Sequence, residues 1–405
     1  MRTRTWCVAG ALLCLASPAA AQTVLSEADV LAQLSADSPR LRAIRAAIDV
    51  ARTDVEAARR WPNPRATYNR ESVAGVTEHM VTVSQPLPIT GRRGLEADAA
   101  SAVADAVSRR SDDAIRQARA ELRAAFADLV SAQVRESELS RARDKLQEVV
   151  GVITRRERAG DAAGYDRLRA EREVTDIEAD VAAARADRAR AQGTLGAYLS
   201  TIADPTSLVV AVPATPSRAA LPTVDELIST AQTRGESRAL QREIDAAHLS
   251  EQAAERRLIP EPEVVAGTKS SNAAGGDVGS VISVHATVPL FDWNRPERAR
   301  AKAQAARTES ELAVFNATVR AHIMALRALV LERRDAADRY RASSTSAADL
   351  ERIAQVSYDL GETGILQLLD AYRSGASVRA RQAALDAAAR HAEIELEFVS
   401  GWEVQ

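Results

Sequence analysis

Trp61-Pro62-Asn63-Pro64 is answered, much later in the chain, by Ile259-Pro260-Glu261-Pro262. After each proline pair comes a strand-like stretch, a polar gap and a second strand. The first copy ends Ser84-Gln85-Pro86-Leu87-Pro88-Ile89 and the second Thr287-Val288-Pro289-Leu290-Phe291. The offset is 198 residues from Pro62 to Pro260 and 203 from Pro86 to Pro289. A long Ala/Arg/Glu-rich stretch follows each hairpin. It breaks once, at Gly160-Asp161-Ala162-Ala163-Gly164 in the first copy and at Gly361-Glu362-Thr363-Gly364 in the second. A repeat of this length means two copies of one structural unit. The unit reads as helix, β-hairpin, long helix, tight turn, long helix.

Working outward, residues 22–203 form the first repeat, with a hairpin over 65–88 and a long helical hairpin over 93–199. Residues 223–405 form the second, with a hairpin over 263–290 and a helical hairpin over 296–399. Between them, 204–222 is a connector with four prolines. Ser26 to Arg60 reads as helix, with Ser26 as N-cap, Glu27 and Asp29 in the first turn and a break at Ser38-Pro39. A single helix is read over 224–258. In the hairpins, Ile282, Val284, Ala286 and Val288 alternate with Ser283, His285 and Thr287, and Val81 and Val83 alternate with Thr82 and Ser84. Each such strand has one oily and one polar face. The fold class is mainly α with a small β part. The short turns make antiparallel helical hairpins.

The first 21 residues read as a signal peptide: Arg2 and Arg4, an apolar core from Val8 to Leu15, and Ala19-Ala20-Ala21 before Gln22. The only two cysteines, Cys7 and Cys14, lie in it, so the processed chain has neither disulfides nor thiolate ligands. Removing Arg2 and Arg4 lowers the basic count from 53 to 51 against 56 acids, a balance of −5, which is no nucleic-acid footprint. After the leader no run of 18 apolar residues occurs, so an α-helical membrane span is not expected. Barrel strands, which need only alternate, remain open to it.

Each chain offers four strands of about ten residues, the length that crosses an outer membrane. Closed bacterial barrels need about eight strands or more, and lipid does not tolerate open edges. If these strands lie in outer-membrane lipid, several chains must share one barrel. Trp61, Phe291 and Trp293 cluster at the helix-proximal end of the hairpins, where a membrane-interface aromatic belt would sit. The alternative is a soluble periplasmic coiled-coil scaffold whose hairpins form a small packed sheet.

The duplicated Pro62-Asn63-Pro64 and Pro260-Glu261-Pro262, the strand ends Gln85-Pro86-Leu87 and Val288-Pro289-Leu290, and the second tip from Tyr358-Asp359-Leu360-Gly361 to Leu368-Leu369-Asp370-Ala371 resemble the TolC-like family of outer-membrane efflux ducts. The resemblance covers essentially the whole processed chain. It implies a homotrimer with a twelve-stranded barrel continued by a periplasmic α-helical barrel of twelve long helices. It also implies a periplasmic adaptor and an inner-membrane pump of the RND type as partners, with no cofactor. The segment Gln85 to Arg93 resembles the CzcC-like branch that serves heavy-metal exporters.

The resemblance further implies a gate in which Tyr358 and Asp166 lock the tip and Asp370 contributes to an acidic ring. Thr363 and Gln367 depart from the family pattern there. The tip turns, with Gly160, Gly164, Leu168, Gly361, Gly364, Leu368 and Leu369, become the adaptor-docking region, although those leucines can equally zip helices together. The five histidines, His79, His248, His285, His322 and His391, show no metal-ligand spacing, and no catalytic constellation is present. The expectation is a duct, not an enzyme.

Overall fold

The computed structural model describes residues 24–34, 38–160, 163–199, 202–213, 219–291 and 293–402. The stretch read as a signal peptide and part of the connector lie outside them. The first repeat contains α1 (Glu27–Gln33), α2 (Pro39–Arg59), β2 (Arg65–Val73), β3 (Val76–Pro86), α3 (Arg92–Ala159) and α4 (Gly164–Gly196). The second contains α5 (Val224–Gln232), α6 (Gly235–Arg256), β5 (Pro262–Ser271), β6 (Asp277–Ala286), α7 (Arg295–Asp359) and α8 (Ile365–Ser400). Two short strands, β1 (Val24–Leu25) and β4 (Val209–Val210), pair in parallel.

Ser26 caps α1 through a capping box with Asp29, and Ser38 caps α2 ahead of Pro39. Thr223 and Glu226 make the same box at the start of α5. The single helix read over 224–258 is in fact two, broken at Thr233-Arg234. The break follows from tertiary contacts: Arg234 turns inward to bond Asp113 at 3.0 Å and the Val399 carbonyl at 2.9 Å.

At 68 residues, α3 is about 100 Å long. That length lets it run past two helices on each side. Toward the sheet it packs between α2 and α6, and toward the tip between α4 and α8. The 65-residue α7 packs on α6 and α8 and, over a short stretch, on α5, and among the described residues no long helix flanks its other side. Each long helix is therefore the spine of one repeat, and the helices form one layer in the order α2/α4, α3, α6/α8, α7. Alanine dominates the contacts: Ala106, Ala118, Ala142, Ala170, Ala184 and Ala337 are all buried. Such small side chains let the helix axes approach closely. An 18-residue window of α7 reaches a mean hydropathy of 1.3 with at most two charged residues, but only 17% of it is buried.

The four-stranded sheet has the order β2-β3-β5-β6, every pair antiparallel. The hairpins end at Pro86 and Ala286, where the sequence reading carried them to 88 and 290. Beyond Ala286, β6 has outrun β5, whose first residue, Pro262, pairs with Ala286. The first turn is tighter than read. Val73 pairs with Val76 across Ala74 (φ 51°) and Gly75 (φ 84°), and the polar residues Thr77 and Glu78 are strand. Two successive residues with φ > 0 match the right-handed twist of the flanking strands.

Candidate functional site: the sheet, its junction and the tip

Residues opposite each other in an antiparallel ladder share a face, and successive residues alternate. The register therefore sorts the sheet. Ala66, Val83, Ala266 and Ile282 form one row across all four strands; Val264 and Val284 lie below it, and Tyr68 and Val81 above. The opposite face carries the rows Arg65, Ser84, Val265, Ser283 and Thr67, Thr82, Gly267, Val281, then Asn69, Met80, Lys269 and Gly279. Glu71, Glu78 and Asp277 end that face at the hairpin tips, where Lys269 Nζ meets Glu78 at 2.6 Å.

The exposures invert the rule for a water-soluble sheet. Ile282, Val284 and Val83 are 79%, 64% and 48% exposed, whereas Thr82, Ser84 and Val265 on the polar face are 8%, 8% and 7%. The apolar face is the open one. Gly267 lies on the opposite face, where a Cβ would run into the Val81 carbonyl oxygen and sit 2.7 Å from Thr82 Cα. Strand β5 crosses β3 that closely only because the residue is glycine.

Between sheet and helices lies a junction built from both proline motifs. Glu261 accepts hydrogen bonds from Thr90 Oγ1 at 2.7 Å and from Arg92 at 3.0 Å. Arg92 also bonds Glu96 at 2.6 Å. Arg256 donates to the Thr90 carbonyl at 2.9 Å, and the Leu87 N–H to the Pro262 carbonyl at 2.9 Å. The segment Gln85 to Arg93 thus belongs to a latch between the two repeats. Trp61, Phe291 and Trp293 surround this level and are all exposed, Phe291 at 96%.

At mid-length a run of alternating charges ties α1, α3, α7 and α8 together. Arg123 bonds Glu27 at 2.8 Å and also Glu397. Arg390 bonds Glu27 at 2.9 Å and Glu393 at 3.4 Å, and Arg334 bonds Glu393 at 2.6 Å. Glu393 and Glu397 are buried, so each depends on these partners.

At the far end both turns close on glycines in the left-handed region, Gly160 (φ 85°) and Gly361 (φ 76°). Gly164 and Gly364 open the return helices α4 and α8. Tyr358 is buried in the core of the tip, with the Arg156 guanidinium 5.1 Å from its ring centroid. Asp166 sits half-buried in the first turn of α4, and Asp370 is exposed on α8. Among the described residues no hydrogen bond joins Tyr358 to Asp166. Leu368 and Leu369 are buried in the same core, while Leu168 is 60% exposed, so the leucines divide between packing and open surface. Above the tip, Lys145 bonds Glu351 at 2.7 Å and lies 4.8 Å from the Tyr372 ring centroid; the Tyr372 hydroxyl bonds Gln355. Burial, then the nearby carboxylates of Glu351 and Asp359, push the Tyr372 hydroxyl above its ordinary pKa. Among the described residues no group of three metal-ligating side chains is assembled.

The latch, the charge run and the Arg234–Asp113 pair were not read from the sequence. The latch and the Arg234–Asp113 pair join residues more than 100 positions apart, the charge run reaches 363 positions from Arg390 to Glu27, and nothing local marks them among the many other Arg and Glu residues.

The sheet presents an oily, open face and stands on a layer of helices about 100 Å long. Residues 30–201 match the outer membrane efflux protein family (OEP). No curated protein sequence matches the chain. Among solved structures it is similar to a membrane protein from Pseudomonas aeruginosa, with a TM-score of 0.76 and 20% identity over 93% of each chain. It is also similar to the CmeC outer membrane channel of Campylobacter jejuni, with a TM-score of 0.79 and 13% identity over 93% of this chain and 85% of that one. A third is the open-state MtrE outer membrane channel of Neisseria gonorrhoeae, with a TM-score of 0.75 and 18% identity over 93% and 88%. The fold is shared with these membrane proteins.

Proposed function

We propose that this protein is the outer-membrane exit duct of a tripartite efflux system. In this role it passively conducts substrates delivered by an inner-membrane pump through a periplasmic adaptor. The observation that carries the reading is the inverted sheet: on the central strands Thr82 and Ser84 of the polar face are buried, while Val83, Ile282 and Val284 of the apolar face stand open. That arrangement is costly in water and stable in lipid around a wet lumen. A four-stranded sheet ends in the unpaired edges β2 and β6, and these run in opposite directions. Copies can therefore be added with every pair antiparallel, and three give a closed twelve-stranded barrel. The helical layer repeats with it, so the duct continues into the periplasm as twelve long helices. Trp61, Phe291 and Trp293 mark the inner membrane–water boundary in this reading.

At the tip, Tyr358 and Asp166 hold the tunnel closed, and Asp370, repeated by symmetry, sets a ring of carboxylates that favours cations. Leu168 and the two turns are the docking region for the adaptor. Heavy-metal cations are the substrate class that the Gln85–Arg93 segment suggests. The duct needs no cofactor.

The test is fractionation of the processed protein. It should sediment with outer membranes, require detergent, run as a multimer and conduct in planar bilayers. A monodisperse single-copy species in detergent-free buffer defeats the proposal. For the substrate, deleting the gene should sensitise cells to zinc, cobalt, cadmium or copper. A change confined to antibiotics and detergents removes the metal assignment and leaves the duct.

A further inference from the structure

We infer that the open face of the sheet, close below the hairpin turns, holds the phosphate of a lipid headgroup between Arg70, His79 and Ser270. The site depends on the sheet being a membrane wall, as proposed above, and adds the lipid chemistry that this wall meets.

The register assembles the site. Arg70 stands directly opposite His79, and His79 opposite Ser270, so the three share one row across three neighbouring strands. Two residues down, Tyr68 and Val81 begin the apolar rows; two residues up, the hydroxyls of Ser72 and Thr77 meet at 3.1 Å. The row is therefore where the open face passes from oily to polar. Tyr68 marks that line. Its ring stacks on His79 with centroids 6.1 Å apart and planes within 16°, and its hydroxyl lies 2.8 Å from Nδ1. With the phenol as donor, Nε2 carries the ring hydrogen and is left as a donor for an outside acceptor.

Charge decides what the site takes. On the open face of the four strands Arg70 is the one permanently charged residue, and there is no carboxylate. Every acid of the strands, Glu71, Glu78, Glu263 and Asp277, lies on the opposite face by register, where Lys269 is already paired with Glu78 at 2.6 Å. Arg70 is exposed and has neither hydrogen bond nor ion pair among the described residues. A guanidinium at the rim of an apolar wall is costly without an anion, and this face offers none, in this chain or in a further copy of it. A planar fork of donors beside an imidazole N–H and a hydroxyl matches the oxygens of a phosphate, which accepts two guanidinium bonds at once.

The depth agrees. Val278 is the β6 member of the same row, opposite Ser270. From Ala286 up to Val278 the strand covers about 26 Å, or about 20 Å along the membrane normal at a tilt of ~40°. Phe291 and Trp61 lie just beyond the lower end. The apolar band then approaches the ~25 Å expected of an outer-membrane wall, and Arg70 stands at its upper edge, at the level of the headgroups.

The test uses the processed multimer, purified from outer membranes and stripped of lipid in detergent. Native mass spectrometry follows its titration with diphosphoryl lipid A, with dioleoylglycerol, which has no phosphate, and with inorganic phosphate. Lipid A should be retained by the native chain, and Arg70→Ala should weaken its binding about tenfold or more, the loss of a charge-assisted contact. Arg70→Lys, which keeps the charge without the fork, should fall between, and Lys269→Ala, on the opposite face, should leave binding unchanged. If Arg70→Ala does not assemble, Arg70→Gln carries the same comparison with the side chain's bulk kept. Equal binding by the native chain and the Arg70 variants, or by dioleoylglycerol and lipid A, overturns the site. Displacement of lipid A by an equal concentration of inorganic phosphate makes it a free-anion site and overturns the lipid assignment. A native chain that does not sediment with outer membranes fails the duct itself; one that sediments and binds lipid A no better than Arg70→Ala fails this site alone.

Discussion

The carboxylate of Glu261 is held by the guanidinium of Arg92 at 3.0 Å, across 169 residues of chain. One residue comes from the proline motif of the second repeat, the other from the segment that ends the first hairpin. Together with Thr90 they join the β-strands to the helices at one point. The Glu261→Ala variant takes the acceptor from Thr90 Oγ1 and from Arg92 Nη2 in a three-quarters-buried site, leaving Arg92 only Glu96. The expected loss is about 1–2 kcal/mol, with Glu261→Gln losing less because it can still accept from Thr90. Chemical denaturation in detergent, followed by circular dichroism, measures both.

Arg234 and Asp113 make the more demanding pair. Both are nearly buried, and Arg234 also covers the Phe398 ring at 4.9 Å. Arg234→Ala strands the Asp113 carboxylate between helices, and should cost about 3–5 kcal/mol. The double variant Arg234→Met, Asp113→Leu should recover much of that loss. A double variant no more stable than Arg234→Ala would assign the effect to lost packing instead.

Gly267 sets the approach of β5 to β3. Gly267→Val forces the strands apart inside the sheet, so the heat-modifiable, folded fraction in outer membranes should drop sharply. Val281→Thr, in the same row on β6, should leave it intact.

His391 bonds Asp128 at 2.7 Å between α8 and α3. The bond to Asp128 raises the imidazole pKa above its ordinary value, against the opposing effects of burial and of Arg333; Glu395 adds a smaller upward pull. A raised folded-state pKa means stability that is complete below about pH 6.5 and lost as pH climbs through the shifted value. Melting temperature measured across this range should therefore fall with rising pH more steeply for the native chain than for His391→Ala. Parallel curves would exclude this pair as the source.

For the tip, Tyr358→Phe combined with Asp166→Ala should raise single-channel conductance in planar bilayers. Unchanged conductance would count against the lock.

Much of this architecture is legible from Pro62, Pro260 and the two Gly-bounded turns, because prolines and glycines act on the local backbone. The alternation of Ile282 with Ser283 likewise gives the faces of the sheet before any coordinates. What escapes is whatever depends on distant partners. Arg234 breaks a helix that its neighbours alone would continue. Ala74 takes a left-handed turn position that the sequence would sooner give to asparagine. Leu168 and Leu369 occupy matching places in the two tips, yet one is exposed and the other buried, since the first repeat's return helix lies at the edge of the layer and the second's at its middle.

The sheet turns over through two residues at Ala74-Gly75 and five from Asn272 to Gly276. In an outer membrane such stubby crossings would leave almost nothing standing above the headgroups. A ligand that grips protruding loops would find little to hold at this end of the sheet.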